Sequence, residues 1–407
     1  MAAARPAHRD GNVLRWLAAY TASVTGDVVY FLALSWSATR TAGPSQAGLV
    51  VAAGALPRAV FMLVGGVVAD RHGPRRVAAV SDGVRCVVIL GAAAALLLAA
   101  PGTWLLILLA LIFGVVDAVF MPAVGAFPPR ITTRDQLARV QGMRGLSIRV
   151  SNSVGPGVAG VVLARGGAAG AFAAAGVLFA VSLALLLTVR VAPAPALALG
   201  STAPQRAAAL GELRDGLRYV RCHRTLAPLA AVIGLSEMCF SGPVVLGLVL
   251  LAGERGWGAV GAGWMASGFS VGAGAAALWV TVVARIPRVG WSVITGLLIA
   301  AVATGVLGRA PSLPAAVALT ALIGLGSGVT TTLTSTLAQA EADPRYLGRV
   351  TALTTLCTLG LAPALLPVAG LTAQLWGAAA LFAGCGVISL LAAAVALAVP
   401  GLRRAGA

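Results

Sequence analysis

The chain contains no lysine, and all 29 of its basic residues are arginine, the signature of a GC-rich coding sequence before it is one of chemistry. Acidic residues number 12, histidines three, and all charged types together only 10% of the chain. The five cysteines (Cys86, Cys222, Cys239, Cys357 and Cys385) form no CxxC and have no metal-ligand spacing, which excludes a zinc site and leaves no disulfide to assign. There is no HExxH, no Ser/His/Asp set and no nucleotide-binding P-loop, so nothing points to an enzyme, and no metal or cofactor is expected. A formal net charge of +17 raises the possibility of nucleic acid. The arginines, however, lie scattered between apolar stretches, whereas a nucleic-acid surface gathers them on one soluble face, so no nucleic-acid partner is expected.

What the chain does have is apolar surface: 59% of 407 residues. With so little polar surface to cover it, the solvent must be lipid. A helix needs about 20 apolar residues to cross the hydrocarbon layer, so twelve spans fit the length. Apolar runs bounded by arginine, glycine and proline predict helices near 13–38, 45–69, 77–100, 103–126, 140–164 and 168–189. A second set follows near 226–251, 257–283, 290–308, 312–337, 349–373 and 375–399. Helices are required because backbone exposed to lipid must satisfy its hydrogen bonds internally. The first apolar run is longer than a signal-peptide core and has no small-residue cleavage site after it, and it reads as the first span.

With the N-terminus in the cytoplasm, 21 arginines fall in cytoplasmic segments and four (Arg40, Arg165, Arg255, Arg309) in outer loops, with Arg58, Arg85, Arg144 and Arg149 in or at the ends of helices. The positive-inside rule therefore places both termini in the cytoplasm.

The predicted organisation is a six-helix bundle over 1–190, a cytoplasmic linker over 191–225 and a second six-helix bundle over 226–407. In the linker, Leu210, Leu213, Leu217 and Val220 recur at helical spacing, with Arg214, Arg218 and Arg221 on another face, the pattern of a helix lying on the membrane surface. The halves repeat. Leu137-Ala138-Arg139-Val140 matches Leu347-Gly348-Arg349-Val350 at an offset of 210 residues, and Gly48 through Ala69 aligns with Gly263 through Ala284. Parallel repeats of this kind build a pseudo-symmetric transporter.

After the second span the chain reads Gly66-Val67-Val68-Ala69-Asp70-Arg71-His72-Gly73-Pro74-Arg75-Arg76. This resembles the signature loop of the major facilitator superfamily, with Val68 in place of a leucine and Pro74 in place of one basic residue. Asp82 and Arg85 at the start of the third span, Gly26-Asp27 in the first and Phe120-Met121-Pro122-Ala123 in the fourth are similar to the macrolide and siderophore exporter branch. Gly155-Pro156-Gly157-Val158-Ala159-Gly160 resembles the G-P-x-x-G-G element of the superfamily's antiporters, with Ala159 replacing one glycine.

The resemblance implies an all-α membrane protein of twelve transmembrane helices in two pseudo-symmetric six-helix bundles. It also implies a cytoplasmic gating motif of Gly66, Asp70, Arg71, Gly73, Arg75, Arg76, Asp82 and Arg85, able to bridge the second-to-third loop and the eleventh helix. Gly155, Pro156 and Gly160 would form the antiporter element. By removing side-chain bulk and one backbone hydrogen bond, they also let the fifth helix bend and approach a neighbour closely.

An ionised side chain at the centre of a lone helix costs about 2.5–3.5 kcal/mol on insertion scales, so each buried charge needs a reason. Asp27, Asp117, Arg144, Arg149 and Glu237 are the candidates. Asp27 sits in mid-span, where loss of water favours the neutral acid unless an arginine pairs with it. It is either a proton carrier or an ion-pair partner holding the first helix in place. Glu237 stands in the seventh helix, the repeat of the first, and is either a receptor for a proton or a cationic substrate or a structural glutamate bonded near Ser236 and Ser241. Arg149 is expected to seek Asp117 or another acid, and Trp36, with Trp264 and Trp279, to line a substrate cavity.

Together these readings predict a monomeric secondary transporter of the bacterial inner membrane that exports small amphiphilic molecules (drug, antibiotic or siderophore) against protons, with lipids as its other partners. Uptake of a nutrient by proton symport is the alternative, and a non-transporting receptor or scaffold a remoter one.

Overall fold

The computed structural model describes residues 9–98, 102–133, 136–191, 223, 226–240, 242–282, 289–341 and 347–399. Among these there is no strand. The helices are α1 (Gly11–His72), α2 (Pro74–Leu98), α3 (Thr103–Gly125), α4 (Pro128–Ile131), α5 (Leu137–Thr188), α6 (Leu226–Phe240), α7 (Pro243–Glu254), α8 (Gly258–Val282), α9 (Val289–Leu307), α10 (Leu313–Glu341) and α11 (Leu347–Ala398).

The 62 residues of α1 would reach roughly 93 Å as one straight rod at 1.5 Å per residue, three times the hydrocarbon thickness. The rod is broken where Gly43 takes a φ of 81°, and Gly167 (61°) and Gly377 (79°) break α5 and α11 in the same way. A positive φ is open to glycine at little cost and to other residues seldom, so these three positions turn three long helices into six spans. Among the described residues, eight helices are long and apolar enough to cross a membrane. With three of them divided at glycine and α8 added, the described residues accommodate twelve spans, at the places the apolar runs predict. Large apolar side chains stand on the outside, Val87 at 72% exposed and Val302 at 60% among them, as expected where lipid rather than water is the solvent.

Two compact units emerge, one drawn from Met1–Leu197 and Arg255–Ser267, the other from Ala198–Glu254 and Gly268–Ala407. A division at 190 and 226 would put all of α8 in the second, but its first residues belong with the first. The predicted surface helix of the linker lies outside the described residues.

The first unit is centred on Val13, Trp16, Tyr20, Val77, Phe120, Phe127, Val140 and Leu186, all buried and drawn from α1 to α5. Asn12 ties its two ends together. The Asn12 amide donates to the Arg190 carbonyl at 2.7 Å, and the Arg190 N–H donates back to Asn12 Oδ1 at 2.8 Å. The second unit gathers Leu229, Val232, Val293, Leu297, Leu333 and Ala393. There the Ala378 N–H, the first after the Gly377 break, donates to the Glu254 carboxylate at 2.8 Å and so caps the last span.

Glycine brings helices into backbone contact in both units. A side chain on Gly114 of α3 would strike the Gly54 carbonyl of α1, and one on Gly324 of α10 would strike the Phe269 carbonyl of α8. Gly114 and Gly324 are 210 residues apart, and Gly54 and Phe269 are 215 apart, the offsets of the two sequence repeats.

Candidate functional site

The first unit holds a cluster of charge at membrane depth. Each member comes from a different helix or a different turn. Ser23 and Asp27 are one turn apart on α1, and Arg58 lies beyond the Gly43 break of the same helix. Asp82 and Arg85 face one way on α2, Asp117 is on α3, and Ser182 is on α5. Arg85 is the hub and is fully buried. Its Nη2 donates to Asp117 Oδ1, and its Nη1 lies 3.4 Å from Asp82 Oδ1 and 3.7 Å from Asp27 Oδ1. Its guanidinium carbon sits 4.0 Å from the Phe120 ring centroid, on a face able to hold a cation in a dry setting.

The three carboxylates are not equivalent. Asp82 is buried and fully bonded: Ser23 Oγ donates to Oδ1 at 3.0 Å, Ser182 Oγ donates to Oδ2 at 2.6 Å, and Arg85 adds its charge. Asp117 has Arg85 on one oxygen and Arg58 at 4.0 Å from the other. Asp27 has the Arg85 charge but no hydrogen bond on its buried Oδ1, while 30% of its side chain is exposed. Aromatic rings wall the cluster, Tyr30 stacking on Phe113 with centroids 3.9 Å apart. Burying charge is expensive, and losing one partner of such a network is more so, which explains why every acid here shares the same guanidinium.

Several predicted site residues are placed differently from expectation. Asp82 and Arg85, grouped by the signature with the cytoplasmic loop, are instead built into the buried cluster, because the α2 register turns both inward toward Ser23 and Ser182. Arg149 does not reach Asp117, whose two oxygens already face Arg85 and Arg58. It is exposed, seven and eleven residues before Pro156 and Gly160, and so on their stripe of α5. Arg144 lies instead over the Tyr20 ring at 5.1 Å. Trp36 is apart from the charges. It lines a recess of about 220 Å³ with Arg40, Leu96, Leu106, Gly102 and Ala168 at the end of the unit where spans turn.

In the signature loop, Gly73 ends α1 with a φ of 82°, Arg71 and Arg76 are exposed, and Gly66 is half-buried. Arg75 donates to the Leu187 carbonyl in the last turn of α5, pinning the loop to that helix end. The Asp70 side chain lies outside the described residues, as do those of 347–364, so the bridge to the eleventh span is not among the described contacts. On α5, Gly155 abuts Val28 and Thr25 of α1, and the Thr25 hydroxyl donates to Ser151 Oγ at 3.0 Å. A methyl on Gly160 would come within 2.7 Å of the Ala259 carbonyl, and one on Gly263 would strike the carbonyl of Pro156. The antiporter-like element is thus a close seam between α5 and the start of α8.

In the second unit Glu237 is half-buried in the last turn of α6, next to Thr331 of α10. Ser236 is committed elsewhere, its hydroxyl donating to the Val232 carbonyl at 2.8 Å. Ser241 lies outside the described residues. Sequence reasoning missed Arg58, Ser23 and Ser182. Arg58 was visible on the same grounds as Asp27, a charge inside an apolar run, but no periodicity distinguishes the two serines from packing residues.

A model of the Major Facilitator Superfamily matches residues 16–366. The enterobactin exporter EntS of Escherichia coli O127:H6 is 27% identical over 311 residues, covering 76% of this chain and 72% of its own. The protein of that name from Shigella boydii serotype 18 matches to the same extent. Solved structures with the same fold include a D-xylose-proton symporter (TM-score 0.73, 13% identity, 97% of this chain and 99% of the other). The nucleoside transporter NupG has a TM-score of 0.72 at 14% identity, covering 96% and 99%.

Proposed function

Since this chain belongs to the Major Facilitator Superfamily, and is a multi-pass membrane transporter rather than an enzyme, we propose that it is a proton-coupled exporter of small amphiphilic molecules in the bacterial inner membrane. It works by alternating access, with both termini in the cytoplasm.

One observation carries the coupling. The buried cluster has three carboxylates and two guanidinium groups, Arg58 and Arg85, so one negative charge lacks a counter-charge. Asp82 is bonded on both oxygens and Asp117 faces two arginines. Asp27 alone has a buried oxygen without a hydrogen bond and a side that solvent can reach. A proton on Asp27 balances the cluster and frees Arg85 for the other two acids, and its departure draws Arg85 back. The proton thereby changes the tie between α1 and the helices α2 and α3. At about 2.3 kcal/mol per charge per 100 mV, one proton supports a substrate gradient of roughly forty- to fiftyfold.

Export is favoured over uptake by the likeness to the enterobactin exporters and by the Gly155-Pro156-Gly160 seam. The fold leaves direction open, since a D-xylose-proton symporter shares it. The test is pH-gradient quenching in inverted vesicles, with drugs, antibiotics and siderophores added singly. Substrate-driven proton release that Asp27→Asn abolishes is the expected result. Substrate-driven acidification identifies symport instead, and proton release that survives Asp27→Asn removes Asp27 from the mechanism.

A further inference from the structure

The second unit holds a pair of thiols that the proposed coupling leaves unused. Cys239 stands in the last turn of α6 and Cys385 in α11 beyond the Gly377 break, 146 residues apart in the chain. Both are free and both are buried, at 1% and 5% exposed. The Cys239 thiol donates to the Cys385 carbonyl at 3.5 Å, and the two sulfurs lie within hydrogen-bonding reach of each other. Ser389, one turn beyond Cys385 and wholly buried, faces the same pair, and its Oγ has no hydrogen bond of good geometry to hold it elsewhere.

A buried cysteine by itself packs as a small hydrophobe and needs no chemistry. Two in contact across separate helices differ, because thiols that meet with nothing between them satisfy the first geometric requirement of a disulfide. Cys385 lies between Gly384 and Gly386, and Gly384 is exposed, with open space where a side chain would stand. That notch brings the lipid-facing surface to within one residue of Cys385. Burial therefore shields the pair from ions and bulky water-borne reagents and admits small apolar ones.

The backbone beside the pair gives a bond something to act on. The seventh span, Leu226–Glu254, is interrupted, α6 ending at Phe240 and α7 beginning at Pro243. Pro243 has no N–H with which to continue the helix ladder. Cys239 stands one residue before the end of α6, so a bond from it to Cys385 ties that helix end to the last span.

We propose that Cys239 and Cys385 are a site of reversible oxidation, at which a lipid-borne organic hydroperoxide converts the dithiol to a disulfide that clamps the interrupted seventh span to the twelfth. One sulfur attacks the hydroperoxide and breaks its O–O bond, giving a sulfenic acid and an alcohol. The second sulfur then displaces the sulfenic hydroxyl, which leaves with that thiol's proton as water, and the S–S bond forms. The two thiols together lose two electrons and two protons, the hydroperoxide gains both, and a dithiol reductant reverses the change by exchange. The proposal goes beyond the transport reading and depends on neither transport direction nor proton coupling.

The experiment uses purified full-length protein in nanodiscs of saturated phosphatidylcholine, treated with cumene hydroperoxide. Free thiols are then alkylated under denaturing conditions, and the chain is mapped by peptide mass spectrometry. The expected product is a linked pair of peptides carrying Cys239 and Cys385, lighter than their sum by the hydrogens lost, with dithiothreitol restoring both thiols. Oxidation should also slow amide hydrogen exchange in a peptide spanning 235–250 by about tenfold or more, since opening the interruption now works against a covalent tie. Cys239→Ser and Cys385→Ser should each lose both effects, and Cys86→Ser, in the first unit, should keep them. Recovery of both thiols in alkylated form after treatment, oxidation of either one singly to a sulfinic acid, or a link that leaves exchange unchanged overturns the proposal. These outcomes are read on wild type, so a serine variant that fails to fold does not shelter it. A protein that forms the link yet moves no protons in vesicles keeps this proposal and loses proton-coupled export.

Discussion

The two units repeat one another in packing and differ in charge. In both, the second span meets the fourth through a glycine pressed against a backbone carbonyl, Gly114 on Gly54 and Gly324 on Phe269. The first unit then fills its interior with Asp27, Asp82, Asp117, Arg58 and Arg85, whereas among the described residues the second carries Glu237 in mid-span and Glu254 at a helix end. The repeat extends to glycines that hold helices together and not to the charged positions. The difference places all the described ion pairs in the first unit.

The sharpest way to break that comparison is to remove its hub. Arg85→Met leaves three carboxylates crowded in a dry site and should destabilise the protein by roughly 3–5 kcal/mol. The measurement is thermal unfolding in a fixed detergent, with Arg85→Lys recovering part of the loss. Glu237→Gln, which strands no partner, should leave unfolding nearly unchanged, and equal losses in the two variants would dissolve the contrast.

The seams should behave alike. Gly114→Ala and Gly324→Ala each force a methyl into a backbone carbonyl, and each should cost about 1–3 kcal/mol or more. A large loss at one and none at the other would mean that the packing is not repeated. Glu254→Ala removes the acceptor for the Ala378 N–H and should cost about 1 kcal/mol, seen as a modest drop in melting temperature. Asp27→Asn should do least to stability, because its Oδ1 has no hydrogen bond to lose, yet most to function. Proton release in vesicles should fall by about tenfold or more, equivalent to at least 1.4 kcal/mol of coupling.

Much of the fold was legible because lipid imposes a simple rule: apolar runs of span length become helices. The breaks at Gly43 and Gly167 fall between runs that the sequence already separates, and Gly377 falls just inside the start of the last run. The site was legible in part. Asp27, Asp117 and Glu237 stand out as charges in apolar surroundings, and Arg58 should have done so by the same test. Asp82 and Arg85 misled because they follow a cytoplasmic signature closely in sequence, while α2 carries them inward by two and three turns. Arg149 misled in the opposite sense, since a charge inside a helix need not face an acid when its own side chain is exposed.

From the sequence alone follow the solvent, the number and placement of spans, the internal repeat and the absence of any basic residue within the helices of the second half except at the start of the eleventh span. These depend on composition and on spacing along one chain. Tertiary structure decided which acid meets which arginine, that Ser23 and Ser182 complete the shell of Asp82, and that one oxygen of Asp27 is left without a donor. Those outcomes depend on the rotation of each helix about its own axis, which apolar helices in lipid set through packing with their neighbours.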